Sequence, residues 1–144
     1  MATERHAEVS WSGSLFDGSG TIERVGSDTF GPLDVTWASR AEEPEGRTSP
    51  EELIAAAHAA CFSMAFSNEL AQAGSAPERL ATKATVTFVP GTGITKIVLG
   101  VRGRVAGLDE DRFRELAEAA KEGCPVSQAL AAVPEITLDA ALEA

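Results

Sequence analysis

Tyrosine is absent from this chain, so chemistry that needs a phenol is excluded. Cysteine occurs twice, at Cys61 and Cys124, and histidine twice, at His6 and His58. There is no CxxC and no HExxH, so no metal site is expected. Basic residues are scarce, 12 against 22 acidic ones, for a net charge of −10. That balance argues against nucleic acid and against an anionic membrane, since both require basic patches. No apolar run reaches the roughly 20 residues that span a bilayer. The first residues, MATERHAEVSWSG, hold no apolar signal core, and a cytoplasmic protein is expected. In a reducing compartment a cysteine pair points to catalysis, redox chemistry or metal binding rather than to a structural staple. A Walker loop, a GxSxG turn and a dinucleotide fingerprint are all missing, and no cofactor is expected.

What the chain does have is one long apolar stretch, Thr48 to Ser67, TSPEELIAAAHAACFSMAFS. Ser49 is a good N-cap, and Pro50 suits the first helical position, where no N–H is needed. Glu52, three residues after Ser49, completes a capping box. Glu51 lies outside that box, a carboxylate at the positive end of the helix dipole. From Leu53 to Phe66 only His58 and Ser63 are polar, which predicts a helix buried on every side. Five small alanines (55, 56, 57, 59 and 60) allow another backbone to come close.

Around this helix the chain reads as strands and shorter helices. Residues 7–13 alternate Val9 and Trp11 with polar neighbours, and 20–25 form the return strand of a hairpin. Leu33, Val35 and Trp37 alternate in a third strand that ends near Arg40. The polar loop AEEPEGR leads into the long helix, which stops near Ala73 with Gly74 as its C′ residue. Residues 81–89 and 94–105 make a second hairpin across Pro90-Gly91-Thr92-Gly93. Phe113, Leu116, Ala117 and Ala120 share one face of a helix ended by Gly123. A last short helix follows Cys124-Pro125 and runs through QALAAV, and EITLDAAL is a final strand. The expectation is a single domain over 1–144 of the α+β class, with two antiparallel β-sheets flanking a long buried central helix.

The two thiols differ in setting. Cys61 lies deep in an apolar helix, where a cysteine is either a small core residue or a site. Cys124 directly precedes a new helix, whose N-terminal dipole stabilises a thiolate. His58 and Cys61 are three apart and share a helix face, which invites a Cys–His nucleophile pair, although a satisfied core histidine is the plainer reading of His58. A transferase or hydrolase using Cys61 and His58, and a non-catalytic stress or binding protein, both remain open at this point.

Taken together, TSPEELIAAAHAACFSMAFS, ITKIVLGVRGRV, GCPVSQAL and the hairpin WSGSLFDGSGTI resemble the osmotically inducible protein C / organic hydroperoxide resistance family over nearly the whole chain. The resemblance implies a thiol-dependent peroxidase acting on organic hydroperoxides in stress defence, built as an intertwined homodimer. It makes Cys61 the peroxidatic and Cys124 the resolving cysteine, joined as a disulfide during turnover. It maps the family's arginine onto Arg40, as in the osmotically inducible branch, and its glutamate onto Glu51. The other branch carries its arginine in the first hairpin, and SLFDGSGTI has none. The loop before Glu51 leaves Arg47 as the alternative to Arg40. The family's reductant is a small dithiol of the lipoyl type, such as dihydrolipoamide.

Those roles make physical sense. A thiol in apolar surroundings has a raised pKa and needs a fixed positive charge, which arginine supplies without losing its proton. A glutamate fixes the arginine as a bidentate pair. Phe62, Met64 and Phe66 are candidates for an apolar wall that favours alkyl hydroperoxides. Glu51 and Cys61 are ten residues apart, roughly 15 Å along a helix, so an arginine fixed by Glu51 must span much of that gap or come from a second subunit.

Overall fold

The computed structural model describes residues 1–143. The chain forms two compact units, Met1–Leu53 and Ile54–Ala144.

In the first unit β1 (Ala7–Ser12), β2 (Ser19–Val25) and β3 (Leu33–Val35) form an antiparallel sheet in the order β1-β2-β3. The turn between β1 and β2 closes tightly, with the Gly18 amide donating to the Ser14 carbonyl at 2.8 Å. A Cβ on Gly18 would lie 2.3 Å from the Ser14 carbonyl oxygen, so only glycine fits there. The alternation of Val9 and Trp11 does give a strand, yet every residue of β1 is exposed. Of the sheet's apolar side chains only Ile22 is buried.

The third strand is shorter than its alternation predicts. It ends at Val35, and Trp37–Ala41 is a helix, α1. The cause is local hydrogen bonding. The Thr36 hydroxyl accepts from the Ser39 amide and the Ser39 hydroxyl accepts from the Thr36 amide, both at 3.0 Å. This reciprocal cap satisfies two donors that an extended chain would leave to a neighbouring strand, and it outweighs the alternating pattern. The Thr48 amide then donates to the Asp34 carbonyl at 3.1 Å, and the Ser39 hydroxyl reaches the Thr48 carbonyl at 3.0 Å. The polar loop is thereby pinned so that the next helix starts beside α1.

That helix, α2 (Pro50–Gln72), begins in the first unit and continues into the second. It ends as a Schellman motif: Gly74 (φ 85°) donates to Ala71 and Ser75 to Leu70. It is not buried on every side. His58, Phe62, Phe66 and Leu70 form a fully buried stripe at four-residue spacing, whereas Ala56, Ala57, Ala60 and Met64 are exposed. Apolar composition alone overstated the burial, because the elements of one chain cover one face of the helix.

In the second unit β4 (Arg79–Val89) and β5 (Gly93–Arg104) form the expected antiparallel hairpin. Helix α3 (Glu110–Gly123) is capped by Asp109, whose carboxylate accepts from the Arg112 amide at 2.8 Å. Its buried residues are Phe113, Leu116, Ala117 and Ala120, the face read from the sequence. Helix α4 (Pro125–Ala129) is shorter than QALAAV implies. Pro134 disfavours helical geometry at Val133, and the chain from Ala131 to Val133 closes on i−3 carbonyls instead.

Strand β6 (Glu135–Leu142) pairs with β5 in parallel, so the second sheet is mixed, in the order β4-β5-β6. The expectation of two purely antiparallel sheets is corrected here. The connection from β5 to β6 passes through α3 and α4, and a crossover of that length returns the chain in the same direction. The core joins Phe62, Phe66 and Leu70 of α2 to Leu99 and Val101 of β5 and to Phe113, Leu116 and Ala120 of α3. Gly103 is required by this packing, since a Cβ there would meet the Phe113 ring at 2.6 Å.

Candidate active site

In the first unit α1 and the first turn of α2 bring Arg40 and Glu51 together. Arg40 Nε donates to both carboxylate oxygens, at 3.0 and 3.1 Å, and Nη2 donates to Oε2 at 2.8 Å. The Glu51 side chain is 8% exposed and that of Arg40 33%. A carboxylate so buried is tolerable only when paired and hydrogen-bonded, and the planar guanidinium meets both of its oxygens. Glu52 is used differently. Its amide donates to the Ser49 hydroxyl at 3.1 Å, the expected half of a cap. Its carboxylate does not return to the Ser49 amide but accepts from the Thr48 hydroxyl at 2.8 Å. Arg47 is exposed, and its side chain makes no ion pair among the described residues.

In the second unit the thiol of Cys61 in α2 meets that of Cys124, the residue between α3 and α4. Cys61 Sγ and Cys124 Sγ are 3.1 Å apart, although 63 residues separate them in sequence. Both are free thiols, Cys124 fully buried and Cys61 partly so. Burial pushes the Cys61 thiol up, and its hydrogen bond to Cys124 adds to this, against a smaller opposing pull from the Val126 amide. For Cys124 burial also pushes upward, but it is outweighed by the Ser127 amide, the Cys61 thiol, the Ser127 hydroxyl and the Val126 amide. The net direction for Cys124 is down. Cys124 Sγ donates to Cys61 Sγ across the 3.1 Å.

His58, one turn before Cys61, is completely buried. Its Nε2 lies 2.7 Å from the Ser127 hydroxyl, and its Nδ1 has no partner. Neither ring nitrogen bonds a thiol. Burial lowers its pKa, so the ring is neutral. Ser127 was not singled out by the sequence reading. Its one local signal is the three-residue step from Cys124, the N-cap of α4.

Within one chain the three candidates for an apolar wall do not share a face. Phe62 and Phe66 are fully buried, with ring centroids 5.6 Å apart, and Phe66 packs on Phe113 at 4.9 Å. Met64 is 73% exposed and lines an open groove with Ser63, Ser67 and Leu80. Residues two apart on a helix point to opposite sides, whereas residues four apart share one. Among the described residues no cluster of three His, Cys, Asp or Glu side chains is placed to hold a metal ion, and no helix is long and apolar enough to cross a membrane.

Comparison with known proteins adds to this geometry. The family described as OsmC-like protein matches residues 43–139. The chain is 42% identical over 142 residues to the peroxiredoxin OsmC of Escherichia coli strain K12, covering 96% of each chain. In fold it is similar to the organic hydroperoxide resistance protein OhrB of Bacillus subtilis, with a TM-score of 0.64, 23% identity and coverage of 96% and 98% of the two chains. An OsmC-like protein of Mycoplasma pneumoniae is similar at a TM-score of 0.69, 17% identity and coverage of 96% and 98%.

Proposed function

Because this chain belongs to the OsmC-like protein family, we infer that it is a thiol-based peroxidase that reduces organic hydroperoxides to alcohols in stress defence. The observation that carries the reading is the 3.1 Å approach of the chain's two cysteines, close enough to join with little movement.

Cys61 is the peroxidatic residue in this reading. Its thiolate attacks the distal oxygen of the hydroperoxide, the O–O bond breaks, and the alcohol leaves after taking a proton. Cys61 is then a sulfenic acid. The Cys124 thiolate attacks its sulfur, the S–O bond breaks, and hydroxide departs as water once protonated. A dithiol reduces the resulting disulfide and takes up its two oxidising equivalents.

A thiol that burial pushes upward is a poor nucleophile at neutral pH. The charge that Cys61 needs is assigned to Arg40, with Glu51 fixing its orientation. The bidentate pairing of Arg40 with Glu51 supports that choice over Arg47. The working form is an intertwined homodimer, so this charge comes from the same chain or from the partner. Two open apolar surfaces support a dimer: the Ala56, Ala60 and Met64 face of α2, and the Val9 and Trp11 side chains of β1. The likeness to the peroxiredoxin OsmC of Escherichia coli covers 96% of the chain, which supports treating it as one functional domain. A cytoplasmic setting and a lipoyl-type dithiol as reductant complete the reading.

The experiment is consumption of cumene hydroperoxide by the purified chain, with dihydrolipoamide and simple monothiols supplied in turn. Turnover with a dithiol is the expected result. No consumption with any thiol would overturn the peroxidase reading.

A further inference from the structure

One buried histidine has no part in the scheme above. His58 is completely enclosed, and its Nε2 lies 2.7 Å from the hydroxyl of Ser127, itself buried and 69 residues away. This contact and the thiol pair follow one pattern. His58 stands three residues before Cys61, and Ser127 stands three residues after Cys124. His58 meets Ser127, and Cys61 meets Cys124. Two segments are thus joined by two contacts in antiparallel order, one between polar groups and one between sulfurs. The polar contact has a defined sense. A neutral imidazole carries one N–H, and on Nδ1 it would be a buried donor without a partner. On Nε2 it donates to Ser127 Oγ, the arrangement that strands no donor.

Helix α4 does not hold its place alone. It has five residues, and an isolated helix that short is unstable. The Gln128 amide donates to the Cys124 carbonyl at 3.0 Å, so Cys124 and Ser127 move together as one turn. Two hydrogen bonds tie that turn back to α3: the Cys124 amide to the Ala120 carbonyl at 2.9 Å, and Gln128 Nε2 to the Glu122 carbonyl at 3.3 Å. Val126 packs against the core, but apolar contact has no direction. Toward α2, where Cys61 lies, the thiol pair is a weak contact, since a thiol is a weak donor and a weak acceptor. The hydrogen bond of His58 with Ser127 is the stronger directional contact there.

We propose that His58 and Ser127 are positioning residues: their hydrogen bond holds the first turn of α4 against α2 and keeps Cys124 within reach of Cys61 while Cys61 is a sulfenic acid. This rests on the peroxidase reading and deepens it by naming what decides the fate of that intermediate. Two fates compete. In closure the Cys124 thiolate forms the S–S bond, the S–O bond breaks, and the departing hydroxide takes up a proton. In loss the sulfenic sulfur attacks a second hydroperoxide, the O–O bond breaks, one oxygen stays on sulfur as a sulfinic acid, and the alcohol leaves after taking a proton. Closure needs the sulfurs to draw about 1 Å nearer than their 3.1 Å separation. A contact three residues away on each segment tolerates that small shift and resists a wider parting.

The test counts both products in the full chain. Wild type and variants are oxidised with graded excesses of cumene hydroperoxide and no reductant, and Cys61 sulfinic acid and Cys61–Cys124 disulfide are measured by mass spectrometry. Both arise from one sulfenic acid, so their ratio does not depend on the speed of the first step. In Ser127→Ala the ratio of sulfinic acid to disulfide should rise several-fold, up to about tenfold, the worth of one neutral hydrogen bond. His58→Leu should do the same. Ser127→Thr keeps the hydroxyl and His58→Gln keeps a donor near the Nε2 position, so both should return toward the wild-type ratio. The double variant His58→Leu with Ser127→Ala separates positioning from stability. Each single change strands one buried polar group, whereas the double change strands none, so its denaturant midpoint should recover. Its ratio should stay raised, because the directional contact is still missing. Wild-type turnover with an unchanged ratio in Ser127→Ala overturns the proposal alone. So does a double variant whose ratio recovers with its stability, since the pair would then be structural only. A wild-type chain that consumes no hydroperoxide overturns the peroxidase reading and this proposal with it.

Discussion

Arg40 and Glu51 face each other through three hydrogen bonds of 2.8 to 3.1 Å, while Glu52, the next residue, turns outward to the Thr48 hydroxyl. Two adjacent carboxylates thus have separate tasks. One is buried and holds a guanidinium, and the other is exposed at the helix start.

The first prediction follows from that division. Glu51→Gln keeps the shape and removes the charge, so Arg40 loses its fixed position. Peroxidase activity should fall about tenfold or more, the equivalent of at least one pKa unit at the activated thiol. Stability should fall by about 1.5–3 kcal/mol, the range for hydrogen bonds to charged groups. Glu52→Gln should change stability by no more than about 0.5 kcal/mol and leave activity near wild type. Arg40→Met should mimic Glu51→Gln, and Arg47→Met should not. Steady-state hydroperoxide assays on the four variants, with denaturant titrations beside them, settle the assignment. A damaging Arg47→Met with a silent Arg40→Met would overturn it.

The second prediction concerns the thiols. One equivalent of organic hydroperoxide should produce an intramolecular Cys61–Cys124 disulfide, seen in non-reduced peptides by mass spectrometry. Finding only intermolecular bridges would contradict the assigned roles.

The third prediction is a pH dependence of stability. Burial lowers the pKa of His58, so the folded chain keeps the ring neutral where the unfolded chain protonates it. The stability gained from a neutral His58 is present above the unfolded value of about 6.5 and is lost as pH falls through the lower folded value. Denaturant midpoints should drop between pH 7 and pH 5, and the drop should be smaller in His58→Gln. Equal drops in both chains would place the acid sensitivity elsewhere.

The fourth prediction is assembly. Light scattering at micromolar concentration should report about twice the 15.0 kDa chain mass. Met64→Glu, on the exposed face of α2, should shift the population toward monomer. A stable, fully active monomer would refute the dimer.

Much of this was legible in the sequence because it rests on local rules. The start of α2 at Ser49-Pro50, its end at Gly74 and the apolar face of α3 each need only a few adjacent residues. The short helix α1 escaped because Leu33, Val35 and Trp37 alternate, while the deciding contact is the exchange between Thr36 and Ser39. The parallel placement of β6 depends on the path of the chain through α3 and α4, which no alternation encodes. The split of Phe62 and Phe66 from Met64 onto different sides of α2 follows from helical spacing that the sequence does contain. The pairing of Ser127 with His58 could not be found by spacing, because 69 residues separate them.

The 3.1 Å separation of the two sulfurs has a consequence for the reductant. A fold that presets one thiol beside another gives it a high effective concentration toward its neighbour. When an external monothiol opens the disulfide, the displaced sulfur is already in place to expel it. The mixed disulfide therefore reverts faster than a second monothiol arrives. A dithiol escapes this competition, since its own second sulfur attacks from equally short range and leaves as a closed ring. Turnover should accordingly rise far more steeply with dihydrolipoamide than with a monothiol at the same total thiol concentration.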